Sequence, residues 1–254
     1  MKPATTVTKV CRVMEQFQER QSLGVTDLAR RTGLLPSDVH RILMSLRANR
    51  YIWQDPETKK YRLGVALMRL GLTAFGGNLL REKAQPILTQ LSKRLGATTH
   101  LGLLDAQKME LILIDQISGP TAEMLQVHLG DIEQLHCTAL GKAIMANLDP
   151  CRLASALQKT GMPRSTRYTI TDAAVLELQL EEVRRCGYSV DHEEFTRGVC
   201  CVGSSLRDFT GAVVGAISSS MPTSCFNEWG EAQLGAILRI AADNLSAVLG
   251  PTES

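Results

Sequence analysis

The run LPSDVHRILMSLRANRYIWQDPETKKYRLG, residues 35–64, constrains the fold more than any other stretch of the chain. In its first half Val39, Ile42, Leu43 and Leu46 recur at the spacing of one helix face, behind a Pro36 or Ser37 suited to open a helix. The second half changes period. Tyr51, Trp53, Tyr61 and Leu63 alternate along two short strands about a turn that Asp55-Pro56 begins. A helix that hands over at once to a hairpin leaves few arrangements open.

What precedes it narrows them further. Val7, Val10, Cys11, Met14 and Phe17 mark an amphipathic helix over residues 7–18. VTDLARRTG reads as a second, short helix with Thr26 as N-cap and Gly33 as its stop. Two short helices joined by a tight turn and followed by a hairpin form a winged helix-turn-helix, whose second helix enters the major groove of DNA. On that helix Ser37, Arg41, Met44 and Ser45 point away from the core stripe and His40 lies at its flank. Lys59 and Lys60 sit at the wing tip, within reach of phosphates, while the wing aromatics read as core. Charge agrees: residues 1–77 hold 13 Lys and Arg against 6 Asp and Glu, and the rest of the chain 15 against 20. The competing reading is a three-helix module that binds protein.

The acidic two-thirds has another character. Helical patterns cover 63–75 and 78–95, the second with Leu79, Leu80, Ile87, Leu88, Leu91 and Leu95 on one stripe, Pro86 inside it and Gly96 at its end. Beyond Gly96, strand-like runs (THLGLL, MELILIDQI, AEMLQVHL, YSVD, VCCVGSSL, GAVVGAISSS) mix with helices from Thr138, from about Pro150, over 172–186 and over 231–249. That plan is α+β, a sheet with helices packed on it. In LHCTALGKAIMANL, Thr138 is a good N-cap, which leaves the first-turn N–H groups of Ala139, Leu140 and Gly141 free to meet an anion such as a small carboxylate. Lys142 reads either as a clamp on that anion or as part of a solvated face.

VDHEEFTRGVCCV, residues 190–202, admits three readings: a metal site, a nucleophile with its base, or a binding wall. Cys200 and Cys201 are neighbours on a strand and point to opposite faces, so they cannot jointly hold one ion. A Cys–His pair stays open, although it needs an activated thiolate and an oriented base. The seven cysteines are odd in number and lack zinc spacing, which suits reduced thiols, and neither a metal nor a cofactor is expected. No signal peptide or membrane-length apolar run is visible, so a cytoplasmic protein without membrane contact is expected.

LPSDVHRILMSLRANRYIWQDPETKKYRLG, LHCTALGKAIMANL and GYSVDHEEFTRGVCCVGSSLRD, in that order, resemble the IclR family of bacterial transcription regulators over nearly the whole chain. The resemblance implies a winged helix-turn-helix (1–64), a linker helix (65–77) and a C-terminal GAF-like domain (78–254) that binds a small effector and oligomerises. It also implies homodimers, often paired into tetramers, on palindromic double-stranded operators. Residues matching the family's effector pocket are Asp191, Cys201, Ser218 and Ser220, joined by the backbone at Ala139 and Leu140. Two departures stand out. Ser37, Asp38 and Val39 replace a common Lys-Ser-Thr run, and Asp38 would then cap the helix or accept from a cytosine amino group. Ser204-Ser205 replaces a common Ala-Pro pair, which would alter pocket polarity.

Asp191 beside an anionic ligand requires one carboxyl to be protonated, or a ligand hydroxyl to donate to it, so hydroxy, keto, aromatic or sugar acids are the expected effectors. Glu193 and Glu194 read as structural, for instance pairing with Arg197, and Leu125, Val127 and Val199 as an apolar wall. The expected function is thus a DNA-binding regulator, not an enzyme, modulated by a small organic acid. The alternative is a cysteine- or metal-dependent hydrolase carrying a winged-helix appendage.

Overall fold

The computed structural model describes residues 5–76, 79–119 and 127–249, in two compact units that divide between Asn78 and Leu79. Leu125 and most of the AEMLQVHL run lie outside the described residues, as does Gly77 at the end of the expected linker.

The first unit opens with α1 (Thr5–Glu19), α2 (Val25–Thr32) and α3 (Pro36–Ala48). The buried side of α1 is carried by Val13 and Phe17, while Cys11 and Val7 are exposed. Val10 and Met14 pack partly buried beside them, so the stripe is turned by only about an eighth of a turn from the one expected. Gly24, not Thr26, precedes α2, and no side chain caps it; Gly33 ends it in the left-handed region at φ 69°. Pro36 occupies the first turn of α3, where its missing N–H costs nothing. Val39, Ile42, Leu43 and Leu46 are all buried, as their spacing predicts.

Strands β1 (Ile52–Gln54) and β2 (Tyr61–Leu63) form the antiparallel wing, with Ile52 opposite Leu63. Leu23 exchanges two backbone hydrogen bonds with Tyr61, at 3.1 and 2.9 Å, tying the wing to the helices. Ile52 and Tyr61 are buried, but Trp53 and Leu63 are about half exposed, so the wing aromatics are not all core. Trp53 alternates with the buried Ile52 and so points outward, whereas Leu63 shares the face of Ile52 and Tyr61 and is left partly uncovered at the end of its strand. Helix α4 (Val65–Gly76) follows and leaves Val65, Met68 and Leu70 exposed.

The second unit is built on a six-stranded, wholly antiparallel sheet in the order β5-β4-β3-β8-β7-β6. The strands are β3 (Thr98–Asp105), β4 (Glu110–Ile117), β5 (Ile132–Glu133), β6 (Ser189–His192), β7 (Val199–Arg207) and β8 (Val213–Pro222). Helices α5 (Leu79–Leu95) and α10 (Glu231–Ala247) pack on the sheet, α5 against β3 and β4 and α10 against β7. Helix α6 (Ala139–Met145) packs on β6, β7 and β8 and is backed by α8 (Ala173–Cys186); α7 (Pro150–Thr160) and the short α9 (Thr223–Trp229) complete the set. This is a GAF-like α+β domain, in keeping with the sequence.

Leu111, Leu113, Leu135, Leu140, Ile144, Leu153, Leu176 and Leu180 fill the layer around α6, each worth roughly 1.5–3 kcal/mol in transfer from water. Two close fits bring α6 onto the sheet. Ser189 Oγ donates to Ala139 O at 2.6 Å, and Gly203 lies so near that a Cβ there would sit 2.8 Å from the same oxygen. Among the described residues, no helix is long and apolar enough to cross a membrane.

Candidate functional site

The first unit presents α3 and the wing. Ser37, His40, Arg41 and Ser45 are exposed on α3, and Lys59 and Lys60 at the wing tip. Asp38 does not cap the helix, since the N-cap position is Leu35 with no side-chain bond. Its carboxylate instead accepts from Lys9 Nζ at 2.8 Å and Arg41 Nη2 at 3.1 Å, and the Lys9 ammonium holds it below the usual carboxylate range. Asp38 therefore orients two cations rather than standing alone against phosphate. Ser45 Oγ donates to Arg41 O at 3.1 Å, leaving its lone pairs outward. The wing turn is tied by Asp55 Oδ1, which accepts from the N–H groups of Glu57 and Thr58 at 2.9 Å each. Beside it Arg47, Arg50, Trp53 and Lys59 line a cationic groove that the sequence pattern did not single out.

In the second unit, Ala139, Leu140, Asp191, Cys201, Ser218 and Ser220 all line one cavity, together with His100, Val127, Glu133, Thr138 and Phe195. Strand register explains the convergence. Asp191 pairs with Cys201 and Cys201 with Ser220; two residues along, Gly203 pairs with Ser218 and Ser218 with His100. Period 2 puts both rows on one face, under the start of α6. Thr138 caps α6 by accepting from Gly141 N at 3.1 Å, so the amides of Ala139 and Leu140 precede the first intrahelical bond, from Lys142 N to Thr138 O. The cavity that this lining encloses is small, about 30 Å³.

Burial sets the cavity's protonation. It pushes Asp191 up to about 7, although Asp191 Oδ1 accepts from Glu194 N at 2.6 Å. Burial, then the Asp131 charge, pushes Glu133 up to about 7, and burial alone brings His100 down to about 4. The cavity is thus lined by two carboxyls whose burial favours the protonated form and by a neutral imidazole. Cys201 Sγ donates to Ser220 Oγ at 3.1 Å, and burial and the Asp191 charge raise its thiol well above the ordinary value. That is the opposite of an activated nucleophile.

Several expectations give way. Lys142 is neither solvated nor at the cavity: it is fully buried, bonded to Glu194 Oε1 and, at 3.0 Å, to Gln179 Oε1. Glu194 is structural, but its partner is Lys142 rather than Arg197. Glu193 accepts from Gly198 N at 2.8 Å and Thr223 Oγ1 at 3.2 Å. Ser204 and Ser205 leave the pocket's polarity untouched, since Ser204 Oγ donates to Gly187 O and Ser205 Oγ accepts from Asn147. Val127 lines the cavity, whereas Val199 is buried elsewhere. Cys200 faces Thr223, and His192 sits outside against Glu231 and Phe226, so neither a Cys–His pair nor a shared metal site forms. Among the described residues, no three His, Cys, Asp or Glu side chains are grouped to hold a metal ion.

A winged helix-turn-helix carried on one chain with a pocketed GAF-like domain defines a class, the DNA-binding transcription regulators. The model of the IclR helix-turn-helix domain matches residues 6–56, and that of the bacterial transcriptional regulator IclR C-terminal domain matches residues 74–247, so the chain belongs to the IclR family. The HTH-type transcriptional regulator XynR of Escherichia coli K12 is 34% identical over 96% of this chain and 96% of its own length. An IclR transcriptional regulator from Alicyclobacillus acidocaldarius superposes with a TM-score of 0.84 at 25% identity, covering 98% of this chain and 100% of that one. An IclR homolog from Microbacterium hydrocarbonoxydans, solved in complex with 4-hydroxybenzoate, gives 0.81 at 24%, covering 96% and 99%. The family and these relatives are regulators, and this chain is a transcription regulator rather than an enzyme.

Proposed function

We propose that the protein binds a palindromic operator as a homodimer or tetramer and that a small organic acid in the GAF-like cavity modulates this binding. The assignment of parts follows: residues 1–64 bind DNA, 65–77 link, and 78–254 bind the effector and oligomerise, all in the cytoplasm. The observation that carries the effector reading is the cavity itself. Six residues from four separated segments, Ala139 and Leu140, Asp191, Cys201, and Ser218 with Ser220, line a single buried space. At rest its volume of about 30 Å³ holds one or two waters, so an acid is seated as the lining side chains give way. Serine hydroxyls and first-turn amides supply donors to a carboxylate, and Asp191, whose burial favours its protonated form, supplies another. The Microbacterium homolog carries an acid of this class.

Ser37, Asp38, His40, Arg41 and Ser45 on the recognition helix, with Lys59 and Lys60 on the wing, form the proposed DNA contact. Asp38 acts there by positioning Arg41. The test is selection of binding duplexes from a random pool by the purified full chain, then titration of the selected duplex with and without small acids. An inverted repeat is expected, and at least one acid should shift the duplex affinity in the wild type but not in Ser220→Ala. Duplex binding indifferent to sequence, or an acid response that survives in Ser220→Ala, would overturn the reading.

A further inference from the structure

His100 lies outside the three sequence motifs quoted above, yet it is one of the residues that line the cavity. It pairs with Ser218 across the sheet and is 5% exposed. Among the described residues its Nε2 is buried without a hydrogen-bond partner. Proteins pair nearly all their buried polar atoms, so an orphaned nitrogen on a residue that lines a cavity points to a partner supplied by a bound molecule as the lining opens to it.

Position then says which part of that molecule. Asp191 stands on β6 and His100 on β3, with β7 and β8 between them. Three strand spacings of ~4.8 Å separate the two backbones by about 14 Å. Helix α6, whose first-turn amides line the cavity, packs chiefly on β7, then β8 and β6, so a carboxylate held there lies toward β7 and leaves the β3 side, where His100 stands, to another part of the molecule. Charge narrows the choice again. The imidazole is held neutral by burial and, among the described residues, the lining carries no cation, so a second carboxylate at this end would be desolvated without a counter-charge. A neutral group that donates or accepts one hydrogen bond suits both the imidazole and the adjacent Ser218 hydroxyl.

We infer that His100 is the specificity residue of this pocket, holding through Nε2 a hydroxyl or oxo group that the effector carries at the end opposite its carboxylate. The inference rests on the effector reading above and adds the second functional group to it. A bare monocarboxylic acid fills the carboxylate end and leaves Nε2 orphaned; a hydroxy or oxo acid satisfies both ends.

Matched pairs of acids test this on the full chain by calorimetric titration: 4-hydroxybenzoate against benzoate, and 4-oxopentanoate against pentanoate. For at least one pair the wild type should bind the substituted member about tenfold tighter or more. His100→Phe should bring that ratio close to one, and His100→Gln, which returns a polar atom near the Nε2 position, should recover part of it. Should His100→Phe fail to fold, His100→Gln against His100→Leu carries the same comparison. A wild type that does not distinguish the pairs, or a preference that survives loss of the imidazole, overturns the inference. Ser220→Ala separates the two levels. If it weakens benzoate or pentanoate while the ratio ignores His100, only the role of His100 falls. If no acid binds the wild type, the pocket reading falls and the inference with it.

Discussion

Replacing Lys142 with methionine would leave the Glu194 carboxylate buried against an apolar neighbour. Both side chains are almost wholly inaccessible, 1% and 3% exposed. Breaking one partner of such a pair costs about 3–5 kcal/mol, because the other charge is stranded. Urea denaturation should therefore show Lys142→Met destabilised by that amount, with Lys142→Met/Glu194→Gln recovering much of it. Asp191 gives a second residue-scale prediction, with a sign set by burial. Its folded-state pKa is raised from 3.8 to about 7, so its contribution to stability is complete below the unfolded value and is lost as pH rises through about 7. Asn at this position keeps an Oδ1 acceptor for Glu194 N and never ionises. At ~1.4 kcal/mol per unit, Asp191→Asn should gain on the wild type by up to about 4 kcal/mol between about pH 4 and pH 8. His100, depressed to about 4, acts in the opposite sense, its contribution being lost as pH falls from about 6.5. It is common to both proteins and cancels when they are compared at each pH. A difference flat with pH would mean that Asp191 is not buried as described.

Among the elements, α6 is one whose placement depends on a missing side chain. A Cβ at Gly203 would meet Ala139 O at 2.8 Å and the Ala139 Cβ at 3.2 Å, and backbone oxygen on a packed helix yields little. Gly203→Ala should cost about 1–3 kcal/mol in thermal unfolding and weaken acid binding as well, since Ala139 and Leu140 would move off the cavity. Legibility followed element length and locality. The stripe of α3 and the Thr138 cap are written within a few residues, so periodicity and capping chemistry found them. Strand β5, at two residues, and α9, at seven, are too short for a period to show. Lys142 could not be placed from its neighbours, because its partner Glu194 arrives 52 residues later. His100 was passed over for a related reason. Alternation in THLGLL tells that it shares a face with Gly102, not that this face closes over a cavity.

At the scale of the molecule, the basic first unit and the acidic second one divide the labour that the proposed function requires. Effector acids and salt should act on different parts of it. Removing Lys59 and Lys60 together should lower the steepness with which duplex binding falls with salt, by roughly one unit per lysine in each bound protomer, and leave sequence preference intact. Arg41→Ala should instead relax preference at one base pair, as expected of a side chain held over the groove by Asp38. Anisotropy titrations over a salt series, on matched and altered duplexes, separate the two. An effector can shift such binding only by favouring one arrangement of the protein over another, so its influence is bounded by that difference in affinity and not by how tightly it binds.

The tightness of the cavity, only about 30 Å³, also fixes a clock. An organic acid enters only when the lining parts, so entry is paced by the protein and not by collision. In stopped-flow mixing, the observed rate should level off as acid concentration rises, and departure should be slow. A regulator built this way averages over brief pulses of its signal and responds to sustained supply.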